Sequence, residues 1–405
     1  MMKTLNLIAF VSDLNEQGSI RTAHRELFDT LGTAFKVNVI TPEEYAASSR
    51  EELCLVFIAS GGTEGKFVAA FDKLPKPVVL LTDGLQNSLA ASLEISAWAR
   101  QNDVECSVIH DRGEGLLREM EKLHLVFRAK RELKGKRIGV IGEPSSWLIA
   151  SSVDYAKAKE AWGVEFVDIP LSEVGKEFAE ADDDEAGLVA ETVLRNASST
   201  REPSHEDLHK ASRLYLAIRK VAQHHCLSAL TIQCFGLIPA TGTTGCLALA
   251  LLNDSGVVAG CEGDEQTVFT MLLSKTLTGS PGFMGNPSQI DRATNSILVA
   301  HCTIGLSQTV GYRLRSHFES GMGVAIQGEM PEEAYTVVKC GGRCLDRLFA
   351  SGAQLVGNTD FANVCRTQVR LRMNESVDYF LSRSIGNHHV IVRGDWADIF
   401  RRLLR

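Results

Sequence analysis

The chain has 405 residues, 44% of them hydrophobic, and a formal net charge of −8. At about 150 residues per domain, this is material for two or three domains. The acidic balance argues against nucleic acid as a partner, because neutralising phosphates takes clustered Lys and Arg. No window approaches the ~18 consecutive apolar residues of a membrane span.

The start of the chain reads as a first strand rather than a signal peptide, because Asp13, Asn15 and Glu16 cut its apolar run short. Apolar runs at 5–11, 35–40, 53–59, 78–82 and 106–109 alternate with helix-length segments such as 18–31, 88–100 and 113–128. That alternation predicts a doubly wound parallel sheet in an N-terminal α/β domain, 1–134. After the third run, Ser60-Gly61-Gly62-Thr63-Glu64-Gly65-Lys66 has the small residues of a ligand-approaching loop, without a P-loop ending.

Lys134-Gly135-Lys136 reads as a linker into a second α/β domain, 135–286. Its expected strands are the run from Arg137, then 164–169, 229–234 and 257–260. The acidic run 182–185 is an expected helix start, and a helix covers 206–224. Thr241-Gly242-Thr243-Thr244-Gly245 opens another helix, which ends near Asn253. From 287 to 405 strand-like runs dominate, at 296–301, 323–327, 334–338, 364–371 and 390–392. They predict a β-rich C-terminal domain closed by a helix at 396–404.

Ten cysteines are scattered without the dense spacing of a disulfide scaffold, so a reducing cytoplasm is the expected setting. Cys340 and Cys344 lack a matching second pair and read as thiols near a turn. Cys234, Cys246, Cys261 and Cys302 read as small buried side chains.

The chemistry concentrates after the run Val257-Val258-Ala259-Gly260, in Cys261-Glu262-Gly263-Asp264. Functional groups in α/β proteins gather where strands end and helices begin. Either carboxylate there can bind a cation or move a proton, and Asp264 can equally cap the next helix. Asn286 follows at the end of that helix and turn. His301 ends a strand run, and Gly386-Asn387-His388-His389 introduces the last one. Folded together, Glu262, Asn286, His301 and His388 make a mixed oxygen–nitrogen site for Mn²⁺ or a similar divalent ion. Adjacent strand residues point apart, so His388 and His389 face opposite ways.

The chain resembles the L-fucose isomerase-like proteins, which are related to L-arabinose isomerase. Asn253-Asp254-Ser255-Gly256, Cys261-Glu262-Gly263-Asp264, Leu277-Thr278-Gly279 and Ala300-His301-Cys302 carry the resemblance. Ser316-His317-Phe318-Glu319-Ser320-Gly321, Gln327-Gly328-Glu329, Cys365-Arg366-Thr367-Gln368 and Gly386-Asn387-His388 complete it. The resemblance covers about the last 180 residues, and about the first 130 match only in architecture.

The resemblance implies metal-dependent aldose–ketose isomerisation of a monosaccharide. Mn²⁺ would chelate the sugar's O1 and O2, and a carboxylate would move a proton between C1 and C2 through a cis-enediol. A carbon acid beside a carbonyl is weak, so the enediolate needs a cation and a base within reach of both carbons. Glu262 matches the family's first metal-binding glutamate, which also serves in acid–base chemistry, and His388 its metal-binding histidine. Arg366, Gln327 and His389 become candidate substrate-binding residues, and Asp264 a second candidate in the chemistry. A homo-oligomer, a hexamer in the family, is implied.

Asn286 is the departure, standing where the fucose isomerases carry an acid-base aspartate. An amide oxygen can coordinate a cation but carries no charge and takes no proton. Asp264, Asp291 or Glu319 remain as replacements, and His301 can add a ligand as a histidine does in arabinose isomerases. The competing readings are a non-catalytic sugar-binding or regulatory homologue, and an epimerase or lyase working through the same enediolate.

Overall fold

A computed structural model describes residues 2–13, 20–48 and 50–404. The described residues through Arg131 form one compact unit, and Glu132–Leu404 form a second.

The first unit is a five-stranded parallel sheet of β1 Lys3–Phe10, β2 Phe35–Ile40, β3 Leu53–Ile58, β4 Val78–Leu81 and β5 Cys106–Ile109. The strand order is β2-β1-β3-β4-β5. Along β3, Leu55 and Phe57 join one hydrophobic cluster and Val56 and Ile58 the other. Period-two alternation thus feeds a core on each face, so the strand reads as a continuous apolar run. The helix expected over 18–31 is two pieces, Ile20–Ala23 and Arg25–Gly32; Gly18 and Ser19 lie outside the described residues.

The second unit opens with β6 Arg137–Ile141, β7 Glu165–Ile169, the two-residue β8 Ser199–Thr200, β9 Ala229–Ile232 and β10 Val258–Cys261. Four of these form a parallel sheet in the order β10-β9-β6-β7. The strand expected over 229–234 stops at Ile232, and a helix, Cys234–Thr241, starts in its last residue.

The remaining strands are β11 Phe283–Asp291, β12 Ser296–His301, β13 Gly311–Arg315, β14 Ala325–Glu329, β15 Ala334–Gly341, β16 Arg347–Asn358, β17 Thr367–Met373 and β18 His389–Arg393; they pair antiparallel with one another, and β13 also pairs parallel with β8. Six strands close a barrel in the order β11-β12-β17-β16-β15-β18. The barrel begins at Phe283, so β11 runs through residues 286 and 287. β11, β13 and β16 lie outside the expected runs; Pro287 interrupts β11, and Gly352 and Gly357 interrupt β16. The register shift between Pro287 and Gln289 absorbs the proline, and another lies between Leu355 and Gly357.

The helix Glu265–Thr278 packs against β9 and β10 on one side and β15 and β18 on the other. It is buried over most of its surface, as a helix wedged between two layers must be. No single described helix is long and apolar enough to cross a membrane.

Candidate active site

Glu262 stands directly after β10, at the carboxyl edge of the parallel sheet. Its φ is +65° and that of Gly263 is +72°. Two left-handed residues in succession turn the chain into the next helix. A side chain at 263 is barred twice over, since a Cβ there would lie 2.6 Å from the Pro144 Cα. A non-glycine residue held at such a φ costs on the order of 1–3 kcal/mol, and such strain clusters at functional sites.

The barrel rim brings two imidazoles to this carboxylate. His301 ends β12, His388 immediately precedes β18, and both strands border β11. His388 Nε2 lies 3.6 Å and His301 Nε2 3.9 Å from Glu262 Oε1. His301 is oriented by a 2.9 Å contact between its Nδ1 and the Thr303 hydroxyl. The other Glu262 oxygen, Oε2, accepts a 2.6 Å hydrogen bond from the Trp147 indole N–H.

These groups fit a divalent cation. Ligand atoms sharing an ion at roughly 2.1 Å sit about 3–4 Å apart. One atom each from Glu262, His301 and His388 lie within 4.8 Å of one another. His388 Nε2 is buried with no hydrogen-bond partner, which is costly unless something else meets it. One carboxylate and two imidazoles are a donor set for a transition-metal ion with open positions.

Behind His388 stands a buried charged group. His388 Nδ1 donates to Asp264 Oδ2 at 2.9 Å, and Lys339 Nζ lies 3.6 Å from the same oxygen. All three side chains have no solvent exposure. Asp264 also caps the helix, accepting from the Thr267 N–H at 2.7 Å and from its hydroxyl at 2.7 Å. A carboxylate on the far nitrogen of a ligating histidine fixes its tautomer and aims the near nitrogen.

The electrostatics follow. Burial pushes the Glu262 carboxyl up, but His388, His301 and the Trp147 N–H outweigh it and hold it at about 2. Burial pulls His388 down, but Asp264 and Glu262 raise it to about 9. Burial takes His301 down to about 4, helped by the His388 charge. Burial likewise opposes ionisation of Asp264, yet Lys339 and His388 keep it well below the usual carboxylate range.

The cavity beside these groups is lined by Glu262, Asn286, His301, His317 and Glu319 and by Cys234, Cys246, Cys261, Cys302 and Cys365. Other candidates sit elsewhere. Asp264 is sealed behind His388 and does not line the cavity. His389 faces away, its Nδ1 donating to the Asn387 carbonyl at 3.0 Å and its Nε2 accepting from the Tyr379 hydroxyl at 3.1 Å. Gln327 is held by Arg315 Nη1 at 2.9 Å. Arg366 donates to the Ser316 carbonyl at 2.8 Å and lies over the Phe318 ring. Asp291 caps the turn at Ala293 and Thr294. Asn286 does line the cavity, with its amide oxygen accepting from Asn387 at 3.3 Å.

Two contributors escaped the sequence reading. Lys339 was visible as a charge inside the apolar run of β15. Trp147 was visible only as an aromatic in a loop.

Among known proteins, no family model matches the chain. A sulfoquinovose isomerase of Clostridium sp. (strain MSTE9) is 36% identical over 91 residues, 22% of this chain and 20% of that protein. One of Priestia megaterium is 28% identical over 195 residues, covering 47% and 42%. One of Alkalicoccus urumqiensis is 24% identical over 258 residues, covering 60% and 57%. The matches thus span between 20% and 57% of these curated relatives' length. Over that part, the chain is similar to sugar isomerases.

Proposed function

We propose that this chain is a metal-dependent aldose–ketose isomerase of the L-fucose isomerase-like kind. The observation that carries the reading is Glu262, strained at a strand end and facing two imidazoles. The names of the similar proteins support it. The same reading includes Mn²⁺ as the ion, a homo-oligomer, hexameric by the family resemblance, and a cytoplasmic setting in keeping with ten free thiols.

Glu262 Oε1, His301 Nε2 and His388 Nε2 would hold the cation, with Asn286 beside them. When bound, a divalent cation would supply charge stabilisation for an enediolate. The chain's own residues must then position the sugar and move the proton. Of the three acids open to replace the family's aspartate, Glu319 alone lines the cavity, and it is our choice for the proton-moving group. Glu319→Gln should lower kcat by roughly 10²–10⁴-fold while leaving Mn²⁺ affinity within about twofold. Unchanged turnover would remove Glu319 from the chemistry.

The test of the function is ketose formation from pentoses, 6-deoxyhexoses and sulfoquinovose with Mn²⁺, in a protein whose fold is checked by circular dichroism. Turnover of none of them sinks the reading. The described residues lining the cavity include no Arg or Lys, so the neutral sugars belong in the panel beside the sulfonated one.

Cation uptake should depend on pH with a fixed sign. With His388 raised to about 9, the cation-free site holds a proton at neutral pH that the ion must displace. Affinity should rise by up to about tenfold per pH unit between pH 7 and 9. Calorimetry at pH 7.5 in two buffers of different protonation enthalpy should show about one proton released. An affinity flat over this range would contradict the assignment of His388 as ligand.

A further inference from the structure

We propose that Trp147 is a positioning residue for Glu262 and also the platform on which the sugar stacks; this rests on the isomerase reading above. The indole N–H occupies Oε2 at 2.6 Å. That bond leaves Oε1 as the oxygen presented to His301 and His388, so the carboxylate meets a cation through one oxygen in a fixed orientation. Partners of this kind orient ligands and set their strength.

The loop carrying Trp147 is held by the segment it serves. The Ser145 N–H donates to the Glu262 carbonyl at 2.9 Å, and Pro144 packs on Gly263. The Val153 N–H donates to Glu265 Oε2 at 2.6 Å, and Gln266 donates to the Ala150 carbonyl at 2.8 Å. Leu148, beside Trp147, is buried. The indole is therefore placed by clamps on both sides of it.

Trp147 is nevertheless 53% exposed. It meets Phe235 in a T-shaped arrangement at 5.6 Å between centroids, and Phe235 lines the cavity and meets His317 at 5.5 Å. An aromatic row thus runs from the exposed Trp147 through Phe235 to His317, the last two lining the cavity. A large apolar face with a polar tip suits a ligand with C–H faces and hydroxyl edges, which is what a sugar presents.

Two variants separate the roles. Trp147→Phe keeps a ring and loses the donor, whereas Trp147→Gln keeps a donor and loses the ring. Mn²⁺ affinity, followed by the EPR signal of the free ion, should fall 10–100-fold in Trp147→Phe and stay within about threefold of wild type in Trp147→Gln. Calorimetric titration of the Mn²⁺-loaded protein with C5 and C6 sugar alcohols should show the reverse, with about tenfold weaker binding in Trp147→Gln only. Equal losses in both variants, or none in either, overturn the proposal, as does a wild type that binds none of these alcohols. A wild type that takes up no Mn²⁺ overturns the cation reading as well, so the two failures are distinguishable.

Discussion

Glu262→Gln should abolish isomerisation, with kcat down at least about 10⁴-fold, and should remove Mn²⁺ binding at micromolar concentrations. The substitution keeps the size and hydrogen-bonding reach of the side chain. The Trp147 N–H can still be accepted by the amide oxygen, so the left-handed turn at Glu262 and the loop over it are retained. What is lost is the only carboxylate among the three groups that converge on the proposed cation position. In the proposed site, a cation held by two neutral imidazoles and an amide would lack its anionic ligand, and an enediolate would lack the charge that stabilises it. Removing the carboxylate also removes one of the two carboxylates, after Asp264, that favour the protonated form of His388. Near-wild-type Mn²⁺ uptake by this variant would show that the cation sits elsewhere, and retained turnover would show that the chemistry does.

The contrast between what was legible and what was not has a physical cause. The central strands β3 and β4 of the first sheet were visible because both faces are buried and the runs are apolar throughout. Glu262, His301 and His388 were visible as chemically committed groups at strand ends. Their convergence was not, because it depends on a barrel closing, and β11 and β16 are broken in sequence by Pro287, Gly352 and Gly357. Asn286 illustrates the limit. From sequence it carried the main doubt, as an amide in the place of an acid. In the fold it lines the cavity with its oxygen already engaged by Asn387, and His301 makes the third close ligand atom. The role of Asp264 was likewise hidden. Its cap on the helix follows from local spacing, but its bond to His388 and its proximity to Lys339 come from strands distant in the chain.

Asp264→Ala should destabilise the second unit by about 3–5 kcal/mol, the usual cost of removing one partner from a buried charged group. Lys339 would be left with the Thr267 hydroxyl at 2.6 Å as its remaining close partner, and burial already pulls its ammonium below the usual lysine range. His388 would lose its tautomer-setting acceptor, and the helix Glu265–Thr278 would lose its N-cap. Thermal unfolding of the cation-free protein should shift down by on the order of 10 °C. Adding Lys339→Met should recover part of that loss, because the double replacement leaves no unpaired ammonium. The pH dependence has a definite sign. Asp264 is depressed, so its contribution is present above the ordinary carboxylate range near pH 4 and is lost as pH falls below it. His388 is raised, so its contribution is complete below about 6.5 and disappears as pH rises through about 9. The stability difference between wild type and Asp264→Ala should therefore be widest between about pH 4 and 6.5 and narrow toward pH 9. A difference independent of pH would mean that Asp264 acts as a helix cap alone, without a charged partner in His388.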